Sequence, residues 1–90
     1  MNLEILSPGK QVFKGEVDGI QLPGTEGSFE ILNNHAALIA SLDKGQLRYK
    51  INDKSILVDI NGGFVEVLNN NVTVLIDNSA NENKDVTIES

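Results

Sequence analysis

Ser28, His35 and Asp43 are the side chains whose types most invite a chemical reading, because a serine, an imidazole and a carboxylate can form a hydrolytic triad. A triad is recognised by geometry, and no nucleophile elbow surrounds Ser28, which stands in Glu26-Gly27-Ser28-Phe29. His35 therefore reads as a turn or interface residue. A metal centre needs three or four ligands. The chain has one histidine and no cysteine, so only carboxylates remain, and none stands at a diagnostic spacing. No catalytic residue, metal ligand or cofactor is assigned.

Two neighbouring stretches suit contact better than catalysis. Gly24-Thr25-Glu26-Gly27 carries glycines that let a loop approach another surface closely. It lacks the lysine of a phosphate loop, carries Glu26 and leads into a strand, which argues against phosphate binding. The run from Ala36 to Leu42 is uncharged and has no clean alternation. By pattern it is a helical turn or a strand buried on both faces, and its length and flanking strands favour the strand. Its plain role is core. Its functional role would be a shallow face, kept so by Ala36, Ala37 and Ala40, for another chain to pack on.

The elements that position these stretches are strands. Leu3 and Ile5 begin an alternating strand, and Ser7-Pro8-Gly9 turns it. Val12 and Phe13 belong to a second strand. Val17, Ile20 and Leu22 slip out of phase, which predicts a β-bulge at Asp18-Gly19. Phe29 and Ile31 share a face. Leu47, Tyr49 and Ile51 alternate with Arg48 and Lys50, and the pattern recurs at Ile56 to Ile60, Val65 to Val67 and Val72 to Ile76. Asn52-Asp53-Lys54, Asn61-Gly62-Gly63 and Asn69-Asn70-Asn71 are turns, since Asn and Gly accept left-handed geometry. Leu57 and Leu75, on the polar side of their strands, either cover a second sheet or form an exposed patch. About ten short strands without an amphipathic helix predict an all-β fold, an antiparallel β-sandwich or flattened barrel. Residues 1–78 form that domain. Residues 79–90 form a polar tail with a possible edge strand at Val86 to Ile88.

The chain has 90 residues and a net charge of −6. That length makes one domain. The charge repels nucleic acid and anionic membrane surfaces. Three Phe, one Tyr and no Trp leave no stacking platform for bases. No stretch approaches the roughly 18 apolar residues of a membrane span. A protein partner with basic patches is compatible.

Two blocks of sequence carry a resemblance. The first is Leu22-Pro23-Gly24-Thr25-Glu26-Gly27, then Ile31, His35-Ala36, Leu38 and Lys44-Gly45-Gln46-Leu47-Arg48. The second is Gly62-Gly63-Phe64-Val65-Glu66-Val67, followed by Asn71-Val72-Thr73-Val74-Leu75-Ile76-Asp77. In order and spacing, over residues 1 to 80, the chain resembles the amino-terminal domain of the epsilon subunit of rotary F-type ATP synthase. The resemblance implies a ten-stranded β-sandwich in the central stalk, at the cytoplasmic face of the membrane. There it binds the gamma subunit and the polar loops of the c-ring, couples ion flow to ATP synthesis, and has no catalytic residue. By the same resemblance Ser7, His35, Leu38 and Ala40 face gamma, with Ala40 pointing outward, and Glu26, Gly27, Ser28 and Glu30 meet the c-ring.

The chain also departs from the pattern. Ser28 and Glu30 stand where the family has an acidic residue and a Gly, and Asn33 and Ala37 stand where it has prolines. Typical members continue into two inhibitory helices, some of which bind ATP. A chain of 90 residues, with Asn81 in place of an Arg, is expected to lack them and to bind no ATP. The alternative reading is a β-sandwich protein-binding module of another complex.

Overall fold

The computed structural model describes residues 1–77 in full and the backbone of 87–89. Ten strands follow one another: β1 (Asn2–Ser7), β2 (Lys10–Glu16), β3 (Gly19–Gly24), β4 (Gly27–Leu32), β5 (Leu38–Leu42), β6 (Gly45–Ile51), β7 (Lys54–Ile60), β8 (Gly63–Leu68), β9 (Asn71–Ile76) and β10 (Thr87–Glu89). There is no helix among the described residues. The expected all-β architecture is what the chain adopts. β10 (Thr87–Glu89) pairs antiparallel with β7 and overlaps the edge strand read at Val86 to Ile88, of which Val86 lies outside the described residues. The rest of the tail, Asn81 included, lies outside the described residues.

The ladders run β10-β7-β6-β3-β5-β8-β9-β1-β2, with β4 added to β3. β4 pairs along the whole of β3, so β6 and β5 must share the opposite edge. β5 meets β3 only at the pair Gly24–Leu42. The sheet folds at that bridge into two leaves. One leaf is β4-β3-β6-β7-β10, and the other is β5-β8-β9-β1-β2. Every pair is antiparallel except β1 with β9, which is parallel. A parallel pair cannot be closed by a hairpin. It arises here because β1 and β9 come from opposite ends of the folded chain.

Alternation puts one side of each strand into a shared core. Leu3, Ile5, Ile20, Leu22, Ile31, Leu47, Val58, Val65, Val72 and Val74 are buried between the leaves. β-branched residues dominate because they pack well on a pleated surface. The rings of Phe13 on β2 and Tyr49 on β6 lie 4.4 Å apart, centroid to centroid, and close the gap between the leaves on that side.

The expected bulge at Asp18-Gly19 is instead a crossing between leaves. The Val17 amide donates to the Met1 carbonyl at 2.9 Å, beside β1, and the Asp18 amide donates to the Lys50 carbonyl at 2.8 Å, on β6. The phase slip in the sequence records a change of sheet. The irregularity in strand pairing lies earlier. Ile5 faces Phe13 and Leu6 faces Gln11, which leaves Val12 as the extra residue.

Candidate functional site: a cleft and an apolar sheet face

The β3–β4 hairpin is tight, with Gly24 opposite Gly27 and Thr25-Glu26 at its tip. Gly27 adopts φ +122°, which favours glycine. The hairpin is tied to β5 at three points. The Thr25 amide donates to the Ser41 carbonyl at 3.1 Å, and the Asp43 amide donates to the Pro23 carbonyl at 2.7 Å. The Thr25 and Ser41 hydroxyls are 2.9 Å apart. Between hairpin and β5 lies an open cleft of about 490 Å³, lined by Gly24, Thr25, Glu26, Gly27, Ser28, Phe29, Ile39, Ala40 and Ser41. Glu26 is its one charged lining residue, so it offers acceptors to a donor-bearing partner and repels anions.

Of the residues considered for a triad, His35 is kept apart from Asp43. Ser28 pairs with Pro23 at the hairpin, where its hydroxyl accepts from the Gln21 amide group at 3.3 Å. Asp43 follows β5. His35 precedes β5, its Nδ1 lies 2.8 Å from the Ala36 carbonyl, and its amide donates to the Leu32 carbonyl at 3.2 Å. The whole of β5, five residues, separates His35 from Asp43, a rise of roughly 16 Å. Among the described residues no group of three or more His, Cys, Asp or Glu side chains could hold a metal ion.

The residues expected to meet a ring, Glu26, Gly27, Ser28 and Glu30, are all exposed on this hairpin. Those expected to face gamma divide. Ser7 ends β1 and lines a shallow cavity of about 590 Å³ with Leu6 and Leu75. His35 lies at the other end of the same leaf, in a turn held by the Asn34 amide donating to Asn70 Oδ1 at 2.8 Å. Leu38 and Ala40 lie opposite Val67 and Val65 and pack against the core. The outward orientation expected for Ala40 is therefore corrected. β5 alternates, and the side that carries Ala40 is the inner one.

The outward residue is Ile39, 74% exposed. It belongs to a set of which sequence reasoning named only Leu75, read as either cover for a second sheet or exposed patch and found half exposed on this outer face. Across the outer face of the second leaf, Ser41, Phe64, Leu75 and Leu6 stand in register, and Ile39, Glu66, Thr73 and Glu4 form the adjoining row. Phe64, Leu68 and Leu75 are each at least half exposed. On β8, Phe64, Glu66 and Leu68 alternate with the buried Val65 and Val67. The signal was a strand apolar on both sides with a single carboxylate on the outer one.

Residues 1–82 match the family described as ATP synthase, Delta/Epsilon chain, beta-sandwich domain. The chain belongs to that family. Similar members include the ATP synthase epsilon chain of Leptospira borgpetersenii serovar Hardjo-bovis (strain JB197), 42% identical over 90 residues, spanning 100% of this chain and 70% of the relative. The ATP synthase epsilon chain of Desulfitobacterium hafniense (strain DSM 10664 / DCB-2) is 45% identical over 75 residues, 83% of this chain and 57% of the relative. Two solved structures share the fold of this delta/epsilon-family chain. One is the central stalk/c-ring of Tetrahymena thermophila mitochondrial ATP synthase (TM-score 0.73, 20% identity, 86% of this chain and 63% of that one). The other is the OSCP/F1/c-ring of Euglena gracilis mitochondrial ATP synthase (TM-score 0.78, 21% identity, 97% and 51%). The family's β-sandwich is the two-leaf fold described above.

Proposed function

We propose that this chain is a non-catalytic central-stalk subunit of an F-type ATP synthase, bound to the gamma subunit and resting on the polar loops of the c-ring. The carrying observation is its likeness to ATP synthase epsilon chains along its whole length. The geometry supports the same reading. The second leaf presents apolar side chains outward, as a docking surface does. The hairpin tip with Glu26, Gly27 and Ser28, together with Glu30 on β4, is the part offered to the ring. Ser7, His35 and the outer side of β5 bound the part offered to gamma. The complex works at a membrane, so the chain sits at the cytoplasmic membrane face as a peripheral component. Co-expression with the cognate gamma subunit tests the reading: a stable complex of the two is expected on size exclusion, and a folded chain eluting alone would contradict it.

A further inference from the structure

The α-amino group of Met1 lies inside the fold. It donates to Asn33 Oδ1 at 2.8 Å, to the Val17 carbonyl at 3.2 Å and to Glu16 Oε1 at 3.3 Å. An ammonium has three donors, and here each has an acceptor. Met1 itself is 6% exposed and packs into the core cluster. Its partners come from three places. Glu16 ends β2, Val17 stands at the crossing between the leaves, and Asn33 follows β4. The amine therefore ties the start of β1, in the second leaf, to the end of β4, in the first. The Asn33-Asn34 turn is held from both sides, since the Asn34 amide donates to Asn70 Oδ1 at 2.8 Å.

The three contacts are not equivalent. Met1 and Val17 exchange backbone hydrogen bonds, the Val17 amide returning one to the Met1 carbonyl at 2.9 Å. That is the pattern of an antiparallel ladder, and an ordinary peptide N–H makes it equally well. Glu16 is 73% exposed, so its pairing with the amine is screened and adds little. The bond to Asn33 is the shortest of the three, and only a nitrogen with more than one hydrogen makes it while also serving Val17. Acylation leaves that nitrogen one hydrogen and no charge. It then keeps Val17 and loses Asn33, whose Oδ1 faces a group with no second hydrogen to donate.

We infer that the α-amino group of Met1 is a modification-sensitive site: as a free ammonium it clamps the two leaves through Asn33, and an N-formyl or N-acetyl group there opens the clamp. Hydrogen bonds from an ionised donor are stronger than neutral ones, so the Asn33 contact is the one whose loss is felt. The domain is then more stable with the amine free, and the amine is less reactive in the folded chain than in the unfolded one.

The test is urea denaturation of the whole chain with a free and with an N-acetylated Met1, each with and without Asn33→Ala. Acetylation is expected to lower the folding equilibrium constant roughly tenfold or more, the loss of a hydrogen bond from a charged donor. Asn33→Ala is expected to lower it about as much in the free chain and less than about twofold in the acetylated one, because the two changes remove the same bond. Glu16→Gln in the free chain should change it less than about threefold. Failure of the acetylated chain to fold is the extreme of the expected loss, and a second measurement then decides. At one pH, an amine-reactive label should modify the Met1 amine of the folded chain more slowly than in urea, relative to the lysine ε-amines. In Asn33→Ala the labelling of the folded chain should quicken about tenfold. Equal stability of the free and acetylated chains, or an Asn33→Ala effect of the same size in both, would overturn the inference. So would a Met1 amine that labels as fast folded as unfolded.

Discussion

Ile39 and Ala40, adjacent in β5, face opposite ways: Ala40 lies across from buried Val65, and Ile39 lies across from exposed Glu66. Two substitutions separate the roles. Ala40→Arg forces a long charged group towards the core and should cost on the order of 3 kcal/mol of stability. Ile39→Arg should change stability by no more than about 0.5 kcal/mol yet weaken binding to gamma. Urea denaturation of both variants checks this. Equal melting midpoints would show that the two side chains are not on opposite faces.

Gly63 is the least replaceable glycine. It adopts φ +149°, and a Cβ there would collide with the backbone oxygen of Leu75 in the neighbouring strand. Gly27 has φ +122° with open space around it. Gly27→Ala should therefore cost only the backbone strain, about 1–3 kcal/mol. Gly63→Ala adds a clash with backbone that cannot move without breaking the β8–β9 ladder, and should lower stability further or prevent folding. Comparable melts for the two variants would contradict this account of the β8 entrance.

Asn70 has a twofold role. It holds a left-handed φ of +63° in the β8–β9 turn, and its side chain accepts from the Asn34 amide. Asn70→Ala removes the acceptor and puts a less tolerant residue at positive φ, for an expected loss of about 2 kcal/mol. Asn70→Gly keeps the turn and loses only the bond, for about 1 kcal/mol. Amide hydrogen exchange at Asn34 should quicken in both. Unchanged protection there would show that the link between the two turns is not formed in solution.

Glu26 stands at the exposed tip of a hairpin anchored through Thr25 and Ser41. Glu26→Lys should leave the melt within about 0.5 kcal/mol of wild type. In the assembled enzyme it should reduce coupling between ion flow and ATP synthesis, if the tip meets the ring. Unaltered coupling would move the ring contact elsewhere, with Ser28 and Glu30 the next positions to substitute.

Much of the fold was legible because half-buried strands write their period into the sequence. Leu47, Tyr49 and Ile51, or Val72, Val74 and Ile76, name their inner face directly. The asparagine turns were legible for a similar reason, since few other residues accept positive φ, and Asn52, Asn69 and Asn70 all adopt it. The crossing at Val17-Asp18 was not legible. A bulge and a change of sheet produce the same slip of phase, and only the partners of the two amides separate them. Nor was the facing of Ala40, because alanine carries no preference strong enough to mark a side and the run around it has no charge. Of the apolar outer face, Leu75 was legible as a possible exposed patch and the rest was not. Phe64 and Leu68 are as apolar as the valines between them, so the strand's two sides look alike until neighbouring strands show which is covered.

Ion-driven ATP synthesis in vesicles tests the central claim most directly. The enzyme would be reconstituted with all its other subunits, with this chain present, omitted, or added back. A central-stalk subunit joining gamma to the c-ring predicts synthesis that falls to near background on omission and returns when the chain is restored. Synthesis at the full rate without the chain, from an enzyme whose gamma and c-ring remain engaged, would contradict it.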